Sequence, residues 1–169
     1  MKRFALTLTA VTAALVLAGT TGATAPQRVT VTAIEAFPIG GAATGLFTAT
    51  GDVFGAGVIG TETGTGFHGH FAHGAAIGRP SFTYSAQAEF TTAAPAGTFT
   101  VKYEGMGVAT SFDPVTGTEY SLETGNWQVT GGTGAWSKLQ GTGTFSEPAF
   151  FNQATGGGGT ITLAGQLHQ

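Results

Sequence analysis

From Ser81 to Thr92 the chain alternates strictly through its first nine residues, Phe82, Tyr84, Ala86 and Ala88 on one side and Ser81, Thr83, Ser85, Gln87 and Glu89 on the other, with Phe90 next on the apolar side. A period of two belongs to a strand with one buried face. No stretch beyond residue 25 sustains a period near 3.6, so no helix is expected past a single turn around residues 135–139. A chain of one-sided strands must hide its apolar faces against one another, in a closed barrel or a two-sheet sandwich.

Other strands read in the same way. Residues 28–36 place Val29, Val31 and Ala33 on one face, residues 45–50 and 56–62 give two shorter candidates, and Ile161, Leu163, Gly165 and Leu167 alternate in the last. The longest candidate, residues 98–112, opens with Phe99, Val101 and Tyr103 inward, and its apolar phase then shifts to Met106 and Val108 across Gly105 and Gly107. The return strand repeats the shift, from Tyr120 and Leu122 to Trp127 and Val129 across Gly125. Paired shifts of this kind predict β-bulges, which coil a sheet toward closure and favour the barrel. Asp113-Pro114 between the two strands suits the first positions of a turn. Residues 145–154 are expected as a loop carrying Phe150 and Phe151, and 156–159 as a flexible glycine run.

Residues 126–145, NWQVTGGTGAWSKLQGTGTF, join two of these strands. The glycines after Val129 let the chain reverse and lay Trp136 back over an open end of the sheet. Trp127 is expected inside, and Trp136, on the turn, is expected to matter less to stability.

The N-terminus reads as an export leader over residues 1–25: Lys2-Arg3, an apolar run from Phe4 to Ala18, and Ala23-Thr24-Ala25 as a small-x-small cleavage site. That run is too short to span a bilayer, so a secreted, extracellular product without a membrane anchor is expected, with residues 26–169 as a single domain. Without the leader, 4 basic residues stand against 9 acidic ones, which excludes nucleic acid as a partner because phosphate contacts need clustered Lys and Arg. With no Cys there are no disulfides, and an immunoglobulin-type Cys, Trp, Cys core is excluded.

Three runs carry a resemblance: FTATG at residues 47–51, GTFTV at 97–101 and GNWQVTGGTGAWSKLQGTGTF at 125–145. They resemble a family of small secreted actinobacterial proteins that is similar to the allene oxide cyclase and dirigent barrels, with Trp136 standing where that pattern has Tyr. The resemblance covers the C-terminal half best. It implies an all-β, antiparallel, eight-stranded barrel.

The conspicuous cluster is Gly66-Phe67-His68-Gly69-His70-Phe71-Ala72-His73. On a strand, His68 and His70 share a face about 6.5 to 7 Å apart, close enough to chelate one ion, and His73 joins them only if the chain bends. No cofactor is expected on the bland reading, a solvated histidine-rich segment; Zn²⁺ or Cu²⁺ on His68 and His70, with either His73 or a carboxylate such as Glu62 as the third ligand, is the alternative. Glu35, Glu89, Glu104, Glu119 and Glu123, set among threonines, are expected on a solvated face. Ser81 and Ser85 lack a nucleophile-elbow context, and the glycine runs lead into strands rather than an anion-holding helix.

Tyr84, Phe90, Phe99, Tyr103 and Trp127 are the candidate ligand-binding residues, because an eight-stranded barrel is either filled by its side chains or holds one small ligand. The leading expectation is a secreted barrel binding a small apolar or aromatic molecule. An enzyme of the cyclase or dirigent type, a metal-dependent enzyme built on the His68–His73 segment, and an extracellular structural protein are the alternatives.

Overall fold

A computed structural model describes residues 25–72 and 81–169, with the backbone alone for 67–72. Eight strands close on themselves: β1 (Gln27–Phe37), β2 (Thr44–Thr50), β3 (Val58–Ala72), β4 (Ser81–Ala93), β5 (Ala96–Asp113), β6 (Thr118–Gly134), β7 (Gln140–Asn152) and β8 (Gly156–His168). Each is antiparallel to its sequence neighbours, and β8 pairs with β1 to complete the barrel. Closure leaves no unpaired sheet edge and gives every strand one interior face, which is why the period of two runs through the whole chain.

The connections divide the barrel into two ends. At the lower end lie residues 51–57, 94–95 and 135–139; at the upper end lie 38–43, 114–117 and 153–155, and residues 73–80, which join β3 to β4, fall outside the described residues. The lower end is plugged. A single 3-10 turn, Asp52–Phe54, sends Phe54 inward, and the reversal after β6 sends Trp136 to meet it with ring centroids 5.4 Å apart. Trp136 Nε1 donates to Thr92 Oγ1 at 2.7 Å. Above this plug Phe90 stacks on Phe99 at 4.9 Å, and Phe47 meets Phe90 edge-on at 5.0 Å. Trp136, 2% exposed, is buried as deeply as Trp127 at 3%, so its place on a turn does not make it peripheral.

The phase shifts expected across Gly105, Gly107 and Gly125 do not occur. Alternation runs unbroken from Phe99 to Ala109 on β5 and from Ser121 to Val129 on β6, with Gly105, Gly107 and Gly125 facing inward, and Met106, Tyr120 and Leu122 exposed outside. Large rings from the next strand but one take the room: a Cβ on Gly105 would fall 2.7 Å from Phe145 Cζ, and one on Gly165 would fall 2.6 Å from Trp127 Cζ2. Trp127 lies across β7 and β8 and donates through Nε1 toward the carbonyls of Thr144 (3.0 Å) and Ala164 (3.3 Å).

Register shifts do occur at other positions, between Gly64 and Gly66 on β3 and, on the central hairpin itself, between Ala109 and Ser111 and opposite the Thr100/Val101 step. The extra residues are Thr65, Thr110 and Thr130. Each donates its hydroxyl to a carbonyl of the partner strand, of Gln87, Tyr120 and Thr100, at 3.2, 3.1 and 3.4 Å. Such a bond occupies a ladder acceptor at each break in the pairing.

Two further expectations are corrected. Residues 145–152 are not loop but part of β7, with Phe145 in the core. Gly156–Gly159 open β8 and pair with both β7 and β1. The Asp113 turn is as expected, its carboxylate accepting from Val115 N at 2.9 Å and Thr116 Oγ1 at 2.8 Å. Those bonds hold the Asp113 carboxyl below its ordinary range.

Candidate functional site

The upper half of the interior is lined differently from the lower half. Parity along four strands turns four carboxyls inward: Glu35 follows Val29, Val31 and Ala33 on β1, Glu62 follows Val58 on β3, Glu123 precedes Trp127 on β6, and Glu147 follows Phe145 on β7. The solvated-face expectation is thus overturned for Glu35 and Glu123, because strand parity outweighs residue type once the strand is fixed by its apolar members. Glu104 does lie outside, its side chain 66% exposed and 2.5 Å from Lys102 Nζ. Glu62 and Glu147 are only 4% and 5% exposed, and Glu35 and Glu123 are half-buried.

Glycines make the convergence sterically feasible. Glu35 pairs on one side with Gly45 of β2 and on the other with Gly159 of β8. A Cβ on Gly45 would sit 3.4 Å from both Glu35 Cγ and Glu62 Oε2, and the carboxyl of Glu147 lies over Gly159. Glu62 and Glu147 therefore reach Glu35 from two sides across strands that carry no side chain there. Oε2 of Glu62 and Oε1 of Glu147 meet no N–H, alcohol or phenol donor among the described residues. An acceptor facing an acceptor becomes a hydrogen bond only when one holds a proton.

The proton balance follows from burial. Desolvation first, then the charge of Glu35, raises the Glu62 and Glu147 carboxyls far above the ordinary carboxylate range. For Glu147 the charge of Glu123 adds to this. Burial also raises Glu35 and Glu123, opposed in Glu35 by hydrogen bonds from its two neighbours. The arrangement is a central carboxylate, Glu35, accepting from protonated Glu62 and Glu147. Two phenols border it. Tyr103 donates to Glu62 Oε1 at 3.5 Å, Tyr84 hydrogen-bonds Glu123, and Ser121 Oγ reaches Glu123 Oε1 at 3.4 Å. Burial, then the neighbouring carboxylates, raises both phenols. The two tyrosines flank Phe145, with centroids 6.1 and 5.7 Å away.

No cation balances the cluster among the described side chains. Arg28, Lys102 and Lys138 are all exposed. Nor is any group of three or more His, Asp or Glu among the described residues placed to hold a metal ion.

Of the five ligand-binding candidates, Tyr84 and Tyr103 border the carboxyls, Phe90 and Phe99 belong to the packed lower half, and Trp127 lies beneath Phe145's end of the barrel over Gly143 and Gly165. In the histidine segment, backbone pairing sets His68 opposite Ser85 and His70 opposite Thr83; His73 lies outside the described residues. The carboxyl cluster was missed in the sequence, although parity within each strand was the signal for it.

No protein-family model matches the chain, and no significant match exists to curated proteins or to solved structures.

Proposed function

We propose that the barrel is a secreted small-molecule binder whose site is its upper end. The ligand rests an apolar or aromatic body on Tyr84, Tyr103 and Phe145 and turns a polar group toward Glu35, Glu62 and Glu147. The observation that carries this reading is the division of the interior into a packed aromatic half and a half lined by carboxyls. Buried carboxyls without a cation destabilise a fold, since each must lose its hydration or keep a proton. Their concentration at the end where Glu35 and Glu123 still touch solvent is the pattern of a binding or catalytic site rather than of a core. Phe90, Phe99 and Trp127 serve in this reading as the floor beneath the ligand. The leader over residues 1–25 supports release from the cell.

A second reading, an enzyme of the cyclase or dirigent type, draws support from the same three carboxyls. A proton donor held beside an acceptor is what general acid–base chemistry uses. The experiment is titration of an apolar fluorophore against the tryptophan emission of the mature protein, with mass spectrometry of whatever co-purifies. Saturable binding supports a ligand site, chemical change of the bound molecule supports the enzyme, and the absence of any saturable change contradicts both.

A further inference from the structure

Resting on that binding reading, we infer that the polar group of the ligand is a primary ammonium, and that Glu35, Glu62 and Glu147 together receive it. Three features of the cluster converge on this chemistry. Among the described side chains the interior charge has one sign, and the described Lys and Arg side chains are all exposed. Glu62 and Glu147 are each more than nine-tenths buried, and each ends in an oxygen that no N–H, alcohol or phenol of the described residues reaches. The carboxyls of Glu62 and Glu147 reach Glu35 from its two sides, one over Gly45 and the other over Gly159. A primary ammonium carries three N–H donors and one positive charge. It can offer one N–H to each of the three carboxyls.

The walls fit the rest of such a molecule. Tyr84 and Tyr103, both buried and packed edge-on against Phe145, form an aromatic wall beside the carboxyls, where a cation gains from the ring quadrupole. A neutral ligand would leave Glu35 uncompensated. An anionic one would add to the repulsion.

When the ammonium enters, its N–H groups replace the protons that Glu62 and Glu147 share with Glu35, and displaced protons pass to the solvent. Among the described side chains, the titratable groups facing Glu35 from the surrounding strands are Glu62, Glu147, Glu123, Tyr84 and Tyr103. All are acids, so amine binding tightens as pH rises until the amine itself loses its proton.

Calorimetric titration of the mature protein with phenethylamine, phenethyl alcohol and phenylacetate, at about pH 8 in buffers of different ionisation enthalpy, tests this. The amine is expected to bind about tenfold or more tighter than the alcohol, as one charge-assisted contact allows, and to release protons. Phenylacetate is expected to be weakest. In Glu35→Gln the amine's advantage over the alcohol should vanish, and Glu104→Gln on the outer face should leave both affinities unchanged. If amine and alcohol bind alike, or no protons are released, the ammonium assignment is overturned and the binding site stands. If neither these three nor the apolar fluorophore binds, the binding reading itself falls.

Discussion

Tyr103 on β5 donates its hydroxyl to Oε1 of Glu62 on β3 at 3.5 Å, across the barrel interior rather than along the sheet. The bond fixes one oxygen of a buried carboxyl and leaves the other, Oε2, to share a proton with Glu35. Tyr103→Phe is therefore expected to push the Glu62 carboxyl higher still, since it deletes the one contact that lowers it. The net stability cost should be about 1 kcal/mol. Urea unfolding and a carboxyl titration of the variant check both halves; an unchanged Glu62 would show that the bond is not made.

Stability should depend on pH with a definite sign. In the folded barrel Glu35, Glu62, Glu123 and Glu147 are all raised, so the native state holds more protons than the unfolded chain above the ordinary carboxylate range. Their contribution is fully present below the unfolded values and is lost as pH rises through the folded ones, about 9 for Glu62 and about 10 for Glu147. The barrel should be most stable in mild acid and lose up to about 1.4 kcal/mol per pH unit for each retained proton. Melting temperatures across this range are the measurement, and Glu62→Gln with Glu147→Gln should flatten the profile and raise stability at neutral pH. A wild-type profile that rises toward alkaline pH would contradict the proton balance.

Trp127→Ala and Trp136→Ala should cost similar amounts, about 3 to 5 kcal/mol each, by lost transfer energy and the cavity left behind. The first ring fills the space over Gly143 and Gly165, and the second plugs the lower end with Phe54. Denaturant midpoints of the two variants decide this. A Trp136 variant near wild type would mean that the lower end can close without it.

Gly165→Ala should destabilise by about 1 to 3 kcal/mol through overpacking. The new Cβ would meet the Trp127 ring at 2.6 Å on one side and the Cα of Gly143 at 2.8 Å on the other. Thermal unfolding checks this, and Gly131→Ala, where no atom lies within 4 Å, serves as the comparison.

Much of the barrel was legible in the chain. Residues 81–92 state their alternation directly, the Asp113 turn carries its own side-chain bonds, and the glycines after Val129 announce the reversal that brings Trp136 inward. Gly105, Gly107 and Gly125 misled because a glycine shows no face, and the outward Met106, Tyr120 and Leu122 then looked like a change of phase. What fills the interior at those glycines is a ring from another strand, Phe145 or Phe82, a pairing that local periodicity cannot contain. The carboxyls were hidden for a related reason. Each reads alone as a surface charge, and their meeting at Glu35 depends on β1 closing against β8, the pairing most distant in sequence.

The central claim, a carboxyl cluster that keeps its protons inside the barrel, is tested most directly by NMR titration of the glutamate side-chain carboxyl carbons in the folded protein. Signals assigned through Glu62→Gln and Glu147→Gln should stay at protonated positions at neutral pH and move only on the alkaline side. If both instead titrate in the ordinary carboxylate range, near pH 4 to 5, the cluster is solvated and ionised, and the account of the upper end is wrong.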